Sequence, residues 1–176
     1  MSIKKLFLFL KLCSILCVIA LILSFLYIHG YRINISNSLP YWFFKIHAAD
    51  KTKPINRGDY VIVNYLLIKD ENPVIKTALE RKYMNFNLPM GKQVGAVSGD
   101  FVTLRDNRLF VNSEDCGPMT VLSADSFGNP LYPFSTPITL QGGQYWLISN
   151  PERGFDSRYF GWVEQSCITH IAYPIF

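Results

Sequence analysis

The sequence predicts a mainly β fold: an antiparallel β-sheet domain with a short helix, preceded by one N-terminal transmembrane helix. Three observations carry that expectation. Residues 12–28, LCSILCVIALILSFLYI, are 17 consecutive uncharged, mostly apolar residues. Downstream, short runs of β-branched and aromatic residues alternate with turn signals. Only one stretch, 72–84, spaces its apolar residues Ile75, Leu79 and Tyr83 as one face of a helix.

With LFLFLK before it, the N-terminal run reaches 23 residues, interrupted only by Lys11. A helix of about 20 apolar residues spans the hydrocarbon core of a bilayer. Lys11 lies near the N-terminal end, where its stem can reach the headgroups. A cleaved secretory signal carries a shorter apolar region, roughly 7–15 residues, and a small-x-small exit. Here the exit, SFLYIHGYR, is bulky and aromatic. The expectation is an uncleaved anchor over residues 1–29 and an outer domain over 30–176. The positive-inside rule keeps Lys4, Lys5 and Lys11 in the cytoplasm. The outer domain then faces the periplasm of a Gram-negative cell, and the chain is a single-pass inner-membrane protein.

In the outer domain DYVIVNYLLI (59–68) follows an Arg-Gly turn and reads as a strand. QVGAVSGDFVTLRDNRLFVN (93–112) reads as a meander with turns at Ser98-Gly99-Asp100 and Asp106-Asn107. PITL, QYWLIS and CITHIAYPIF complete the expected strands. Pro73 suits the first turn of the helix. About 146 residues suffice for a core of their own.

The formal charge of +4 is mostly a topology signal, because three of the 17 basic residues are the N-terminal lysines. Past residue 30 the balance is 14 basic against 13 acidic residues, about +1. No basic stripe suits a nucleic acid. Cys13 and Cys17 sit four apart in the apolar run and read as small lipid-facing or helix-packing residues. Cys116 and Cys167 lie in the outer domain, where an oxidising compartment permits a disulfide; sequence leaves their pairing open. No CxxC or His/Cys cluster suggests a metal, and no cofactor is implied.

NISNSLPYW (34–42) follows the anchor and offers two hydroxyls, Ser36 and Ser38. A serine needs a neighbouring base to act as a nucleophile. His29, His47 and His170 have no catalytic context, and GxSxG is absent. A lysine can take the role if burial keeps its amine neutral. MGKQVGAVSGD (90–100) places Lys92 at the head of an apolar strand, among Gly91, Gly95 and Ala96. As a plain surface residue Lys92 would be an ordinary strand start, and Ser36 and Ser38 would be turn residues beside Pro40.

These stretches occur in an order that resembles the membrane-bound Ser-Lys signal peptidases, and more closely their TraF-like conjugation-plasmid branch. The anchor comes first and NISNSLPYWFF resembles the nucleophile box. RGDYVIV resembles the Gly-Asp strand, MGKQVGAVSGDFV the base box and FDSRYFGWV the closing box. The resemblance implies Ser38 as nucleophile, Lys92 as general base and Ser36 as a support for the oxyanion hole. Asp156 and Arg158 match the closing box, where they pair to fix a loop or, for Asp156, take part in catalysis. The implied reaction is acyl transfer on a precursor protein, a pre-pilin or a signal-peptide-bearing chain, at the outer face of the membrane. Partners then include membrane lipid and a conjugation or secretion machinery, and no nucleic acid.

The chain departs from the general secretory enzymes in places. Leu39 stands where they carry methionine. Gly154 stands where they carry a serine near the lysine, and Trp42 stands where the conjugation branch often has glycine. The segment between the base and closing boxes is too short for a large extra β domain. The alternatives are a general type I signal peptidase and, in a different class, a non-catalytic membrane-anchored scaffold of a secretion or pilus assembly.

Overall fold

A computed structural model describes residues 3–67, 72–81 and 90–175. In chain order the elements are α1 (Ile3–Ile28), β1 (Tyr31–Ile33), β2 (Phe43–Ala48), β3 (Tyr60–Val63), α2 (Pro73–Glu80), β4 (Met90–Ala96), β5 (Phe101–Arg105), β6 (Arg108–Val111), β7 (Glu114–Pro118), β8 (Ile138–Thr139), β9 (Gln144–Ile148), α3 (Ser157–Phe160), β10 (Val163–Glu164) and β11 (Ile168–Pro174).

α1 is apolar on all sides and none of its residues is buried. It is long and apolar enough to cross a membrane. The helix stops at Gly30, whose φ of +86° reverses the chain. A Cβ there would strike the carbonyl of Ile46. Glycine therefore lets the helix end hydrogen-bond straight into the sheet, with Ile46 N–H donating to Gly30 O at 2.9 Å.

Two antiparallel sheets follow. The larger has the order β1-β2-β11-β3-β4-β9-β10 and the smaller β7-β6-β5-β8. β4 and β9 serve both cores. Val94 and Leu147 pack with Val61, Val63, Ile75, Phe160 and Ile168, whereas Ala96 and Trp146 pack with Val102, Leu109, Val111 and Leu140. The register between β4 and β9 shifts between Val94 and Ala96, and such a bulge bends the strand.

The mainly antiparallel expectation holds, with local corrections. The 59–68 run forms only a four-residue strand, β3, followed by a 3₁₀ turn at Tyr65–Leu67. Asn64 ends the strand, its side chain accepting from Leu66 N–H at 3.1 Å. Tyr65 then turns inward against Phe160, with ring centroids 5.2 Å apart. Ile68 lies outside the described residues. The helix expected within 72–84 runs from Pro73 to Glu80 with Arg81 as its C-cap, and Tyr83 lies outside the described residues. Pro73 opens it, and Asn72 caps it by accepting from Val74 and Ile75. Strands β1, β7 and β10 carry too few apolar alternations to be read from sequence, and β2, where Phe44 and Ile46 alternate with Lys45 and His47, is a further strand beyond those expected. Asp106 and Asn107 do form the expected tight turn, with φ of +51° and +55°.

Cys116 is a free thiol exposed on β7 of the small sheet, whereas Cys167 is buried beside β11 of the large one, so the two are not bridged.

Asp100 ties the two sheets at the β4–β5 turn. It accepts from Val97 N–H at 2.8 Å, from Asn112 Nδ2 at 3.0 Å and from the Arg57 guanidinium. Asp100→Ala removes all of these acceptors and should lower unfolding stability by about 2–3 kcal/mol, read by chemical denaturation of the full chain in detergent. Arg57→Ala, which leaves the backbone and Asn112 bonds in place, should cost less.

Candidate active site

The loop between β1 and β2 is organised by Asn34. Its Nδ2 donates to Leu39 O at 3.2 Å and Tyr41 O at 2.9 Å. Its Oδ1 accepts from Ser36 N–H at 3.1 Å and Ser36 Oγ at 2.8 Å. Leu39 then anchors the loop on the sheet, buried among Phe44, Ile46 and Ala172. A Cβ at Gly91 would lie 2.8 Å from Leu39 Cδ1. The bare backbone of Gly91 therefore seats Leu39, the residue after Ser38, on β4 one position from Lys92.

Ser38 is half-buried and Ser36 exposed, with their Oγ atoms 2.8 Å apart. The single proton of Ser36 goes to Asn34, so Ser38 donates to Ser36. Ser38 borders a cleft of about 280 Å³ that is also lined by Asn37, Gln93, Ser149 and Asn150. Asn150 Nδ2 donates across it to Asn37 O at 3.3 Å.

Lys92 follows from strand periodicity. Lys92, Val94 and Ala96 alternate onto the buried face of β4, which leaves Lys92 only 2% exposed. Its Nζ donates to Phe155 O at 2.7 Å. Burial lowers its pKa from 10.5 to about 8, with Asp156 pulling it up and Arg158 pushing it down.

Asp156 and Arg158 are fully buried. Asp156 caps α3 by accepting from Arg158 N–H at 3.1 Å. Arg158 grips the carboxylate with Nε at 2.7 Å and Nη2 at 2.8 Å. The rest of the guanidinium holds the carbonyls of Thr120, Pro151 and Asn150 at 2.7–2.8 Å. The pair thus fastens the β9–α3 loop that carries Phe155 O over Lys92.

The structure groups the expected residues as two clusters, Ser36 with Ser38 and Lys92 with Phe155, Asp156 and Arg158. Among the described residues no hydrogen bond joins Ser38 to Lys92 or Asp156 to Lys92. Ser38 donates its hydroxyl hydrogen bond to Ser36, and Lys92 Nζ donates one to Phe155 O. None of the three histidines lines the cleft. No cluster of His, Cys, Asp and Glu among the described residues could hold a metal. Sequence reasoning missed Asn34 and Ser149. Asn34 carried a signal, because an Asx residue two before a serine favours a local turn.

A family model described as signal peptidase, peptidase S26, matches residues 6–175. A conjugal transfer protein TraF of Agrobacterium fabrum (strain C58) is 29% identical over 155 residues, covering 85% of this chain and 84% of that protein. A plasmid transfer protein TraF of Escherichia coli is 30% identical over 160 residues, again covering 85% of this chain and 84% of its own. Among solved structures, a signal peptidase I of Enterococcus faecalis matches with a TM-score of 0.40 and 19% identity, covering 66% of this chain and 94% of its own.

The buried Lys92 should weaken the fold at neutral pH. Between about pH 8 and 10.5 unfolding takes up a proton, so stability rises with pH in that window, and below it the burial penalty is fully present. Lys92→Met should therefore raise stability at pH 7 by about 1–3 kcal/mol. The gain should shrink to nothing above about pH 10.5. Denaturation at pH 7 and pH 10.5 checks this, and an unchanged or lowered stability at pH 7 would contradict it.

Proposed function

The chain belongs to the signal peptidase S26 family, and we propose that it is a membrane-anchored serine endopeptidase working through a Ser38–Lys92 dyad. The observation that carries the reading is Lys92: a lysine 2% exposed, held to a pKa of about 8, on the strand against which the Ser38 loop is seated. A surface lysine would stay charged at neutral pH and could not accept a proton.

In the proposed reaction the neutral fraction of Lys92 takes the Ser38 proton as Ser38 turns from Ser36 towards β4. Ser38 Oγ attacks the substrate carbonyl, the amine leaves with a proton, and water releases the acyl group. The Ser38 N–H, and Ser36 once its bond to Asn34 opens, face the oxygen that gains charge. Asp156 and Arg158 act through the loop, keeping Phe155 O and the carboxylate's charge beside Lys92.

The substrate is a precursor protein, a pre-pilin or other conjugation or secretion component, cut at the outer face of the inner membrane. Ser38 lies ten residues past the end of α1. Tyr31, Ile33, Ile35, Trp42 and Phe43, all exposed, surround that exit and suit the headgroup zone. The TraF names of the relatives favour a conjugative substrate over a general secretory one.

Ser38→Ala and Lys92→Ala should each reduce precursor processing by about 10³-fold or more while the protein stays folded and anchored. The readout is precursor and mature bands in cells. Normal processing by either variant would leave the scaffold reading in its place. In vitro, kcat/KM on a fluorogenic peptide with alanines before the scissile bond should climb about tenfold per pH unit below about pH 8 and level off above it. A flat profile from pH 6 to 9 would remove Lys92 as the base.

A further inference from the structure

Among the described residues that line the cleft, Ser149 is the one that hydrogen-bonds the buried carboxylate. It is half-buried at the end of β9 and lines the cleft with Ser38. Its N–H and its Oγ each donate to Asp156 Oδ2 at 2.9 Å. With Arg158 Nη2 at 2.8 Å, that single oxygen accepts three bonds. The other carboxylate oxygen accepts two, from the Arg158 N–H and Nε.

Packing keeps the hydroxyl where it is. A side chain at position 154 would collide with Ser149 Oγ, with Asn150 O at 2.6 Å and with Asp156 Oδ2 at 2.8 Å. The bare Gly154 is what leaves Ser149 its place.

We infer that Ser149 is a positioning residue for Lys92: its hydroxyl holds one oxygen of Asp156 within the loop's own hydrogen bonds and so limits the carboxylate's pull on the lysine ammonium. The inference rests on the Ser38–Lys92 reading above. Few charges compete for the role. Among the described residues Asp156 and Arg158 are the charged groups acting on Lys92, one favouring and one opposing its proton. The Tyr65 phenol, from the 3₁₀ turn after β3, lies in the field of Asp156. β3 opposes Lys92 with Val61, and β9 runs beside it with Leu147 and Ile148. In a low-dielectric pocket a carboxylate that loses a donor turns more of its charge on a nearby cation. Without the Ser149 hydroxyl, Lys92 keeps its proton to higher pH and less of it is available as base.

The test follows Lys92 directly. In the full-length chain in detergent micelles, the ¹³Cε resonance of Lys92 is titrated in the wild type, Ser149→Ala and Ser149→Thr, beside the pH profile of kcat/KM on the alanine-bearing fluorogenic peptide. Ser149→Ala should raise the midpoint by about 0.5 pH unit or more and carry the acid limb of the profile with it. That is about a threefold loss of rate at pH 7 with the high-pH plateau retained. Ser149→Thr, which keeps a hydroxyl, should restore both. A midpoint that stays put in Ser149→Ala, whatever happens to the rate, overturns the inference, because a merely structural serine would lower the plateau without moving the titration. A midpoint that moves in a chain that cleaves nothing overturns the peptidase reading and leaves the hold of Ser149 on Asp156 standing.

Discussion

The site is organised around a lysine amine buried in the sheet. Lys92 occupies an inward position of β4 because side chains on a strand alternate, and its neighbours on that face, Val94 and Ala96, belong to the core. Burying an ammonium costs free energy unless polar groups meet it. The fold supplies one carbonyl, Phe155 O, and a carboxylate that is shared with an arginine. That partial compensation leaves the amine with a depressed proton affinity.

Much of the surrounding architecture serves to hold that carbonyl and that carboxylate still. The β9–α3 loop has little regular structure, so its carbonyls need partners. Arg158 provides them as a buried hub, while Asp156 caps the short α3. The Ser38 side is held differently. There Asn34 shapes the loop by hydrogen bonds, and Leu39 secures it by apolar burial over Gly91. One wall of the cleft is thus set by charge and the other by packing.

Much of the fold was legible because the signals were local. The apolar run at 12–28 and the Asp106-Asn107 turn each follow from a few adjacent residues. Strands β1, β7 and β10 were not legible, since runs such as Tyr31-Arg32-Ile33 are too short to show a period and owe their conformation to a partner strand. At the site, the inward placement of Lys92 could be anticipated from its apolar strand. The proton of Ser38 could not, because it points to Ser36 as a result of what Asn34 does four residues earlier. The Arg158 hub was also hidden, for it is made with backbone carbonyls that carry no sequence identity. Ser149 meets Asp156 only because the loop folds back at Gly154.

The junction after α1 has a mechanical consequence. Helix and sheet are separated by His29 and Gly30 alone. Arg32 bridges them, donating to Tyr27 O at 2.7 Å and lying 3.9 Å over the Tyr27 ring. A linker this short and this latched gives no slack. With α1 in a bilayer, the cleft rides at one height above the surface, as the jaw of a caliper does. On the proposed peptidase reading, a chain emerging from the same bilayer would meet the cleft only at the residue that reaches that height.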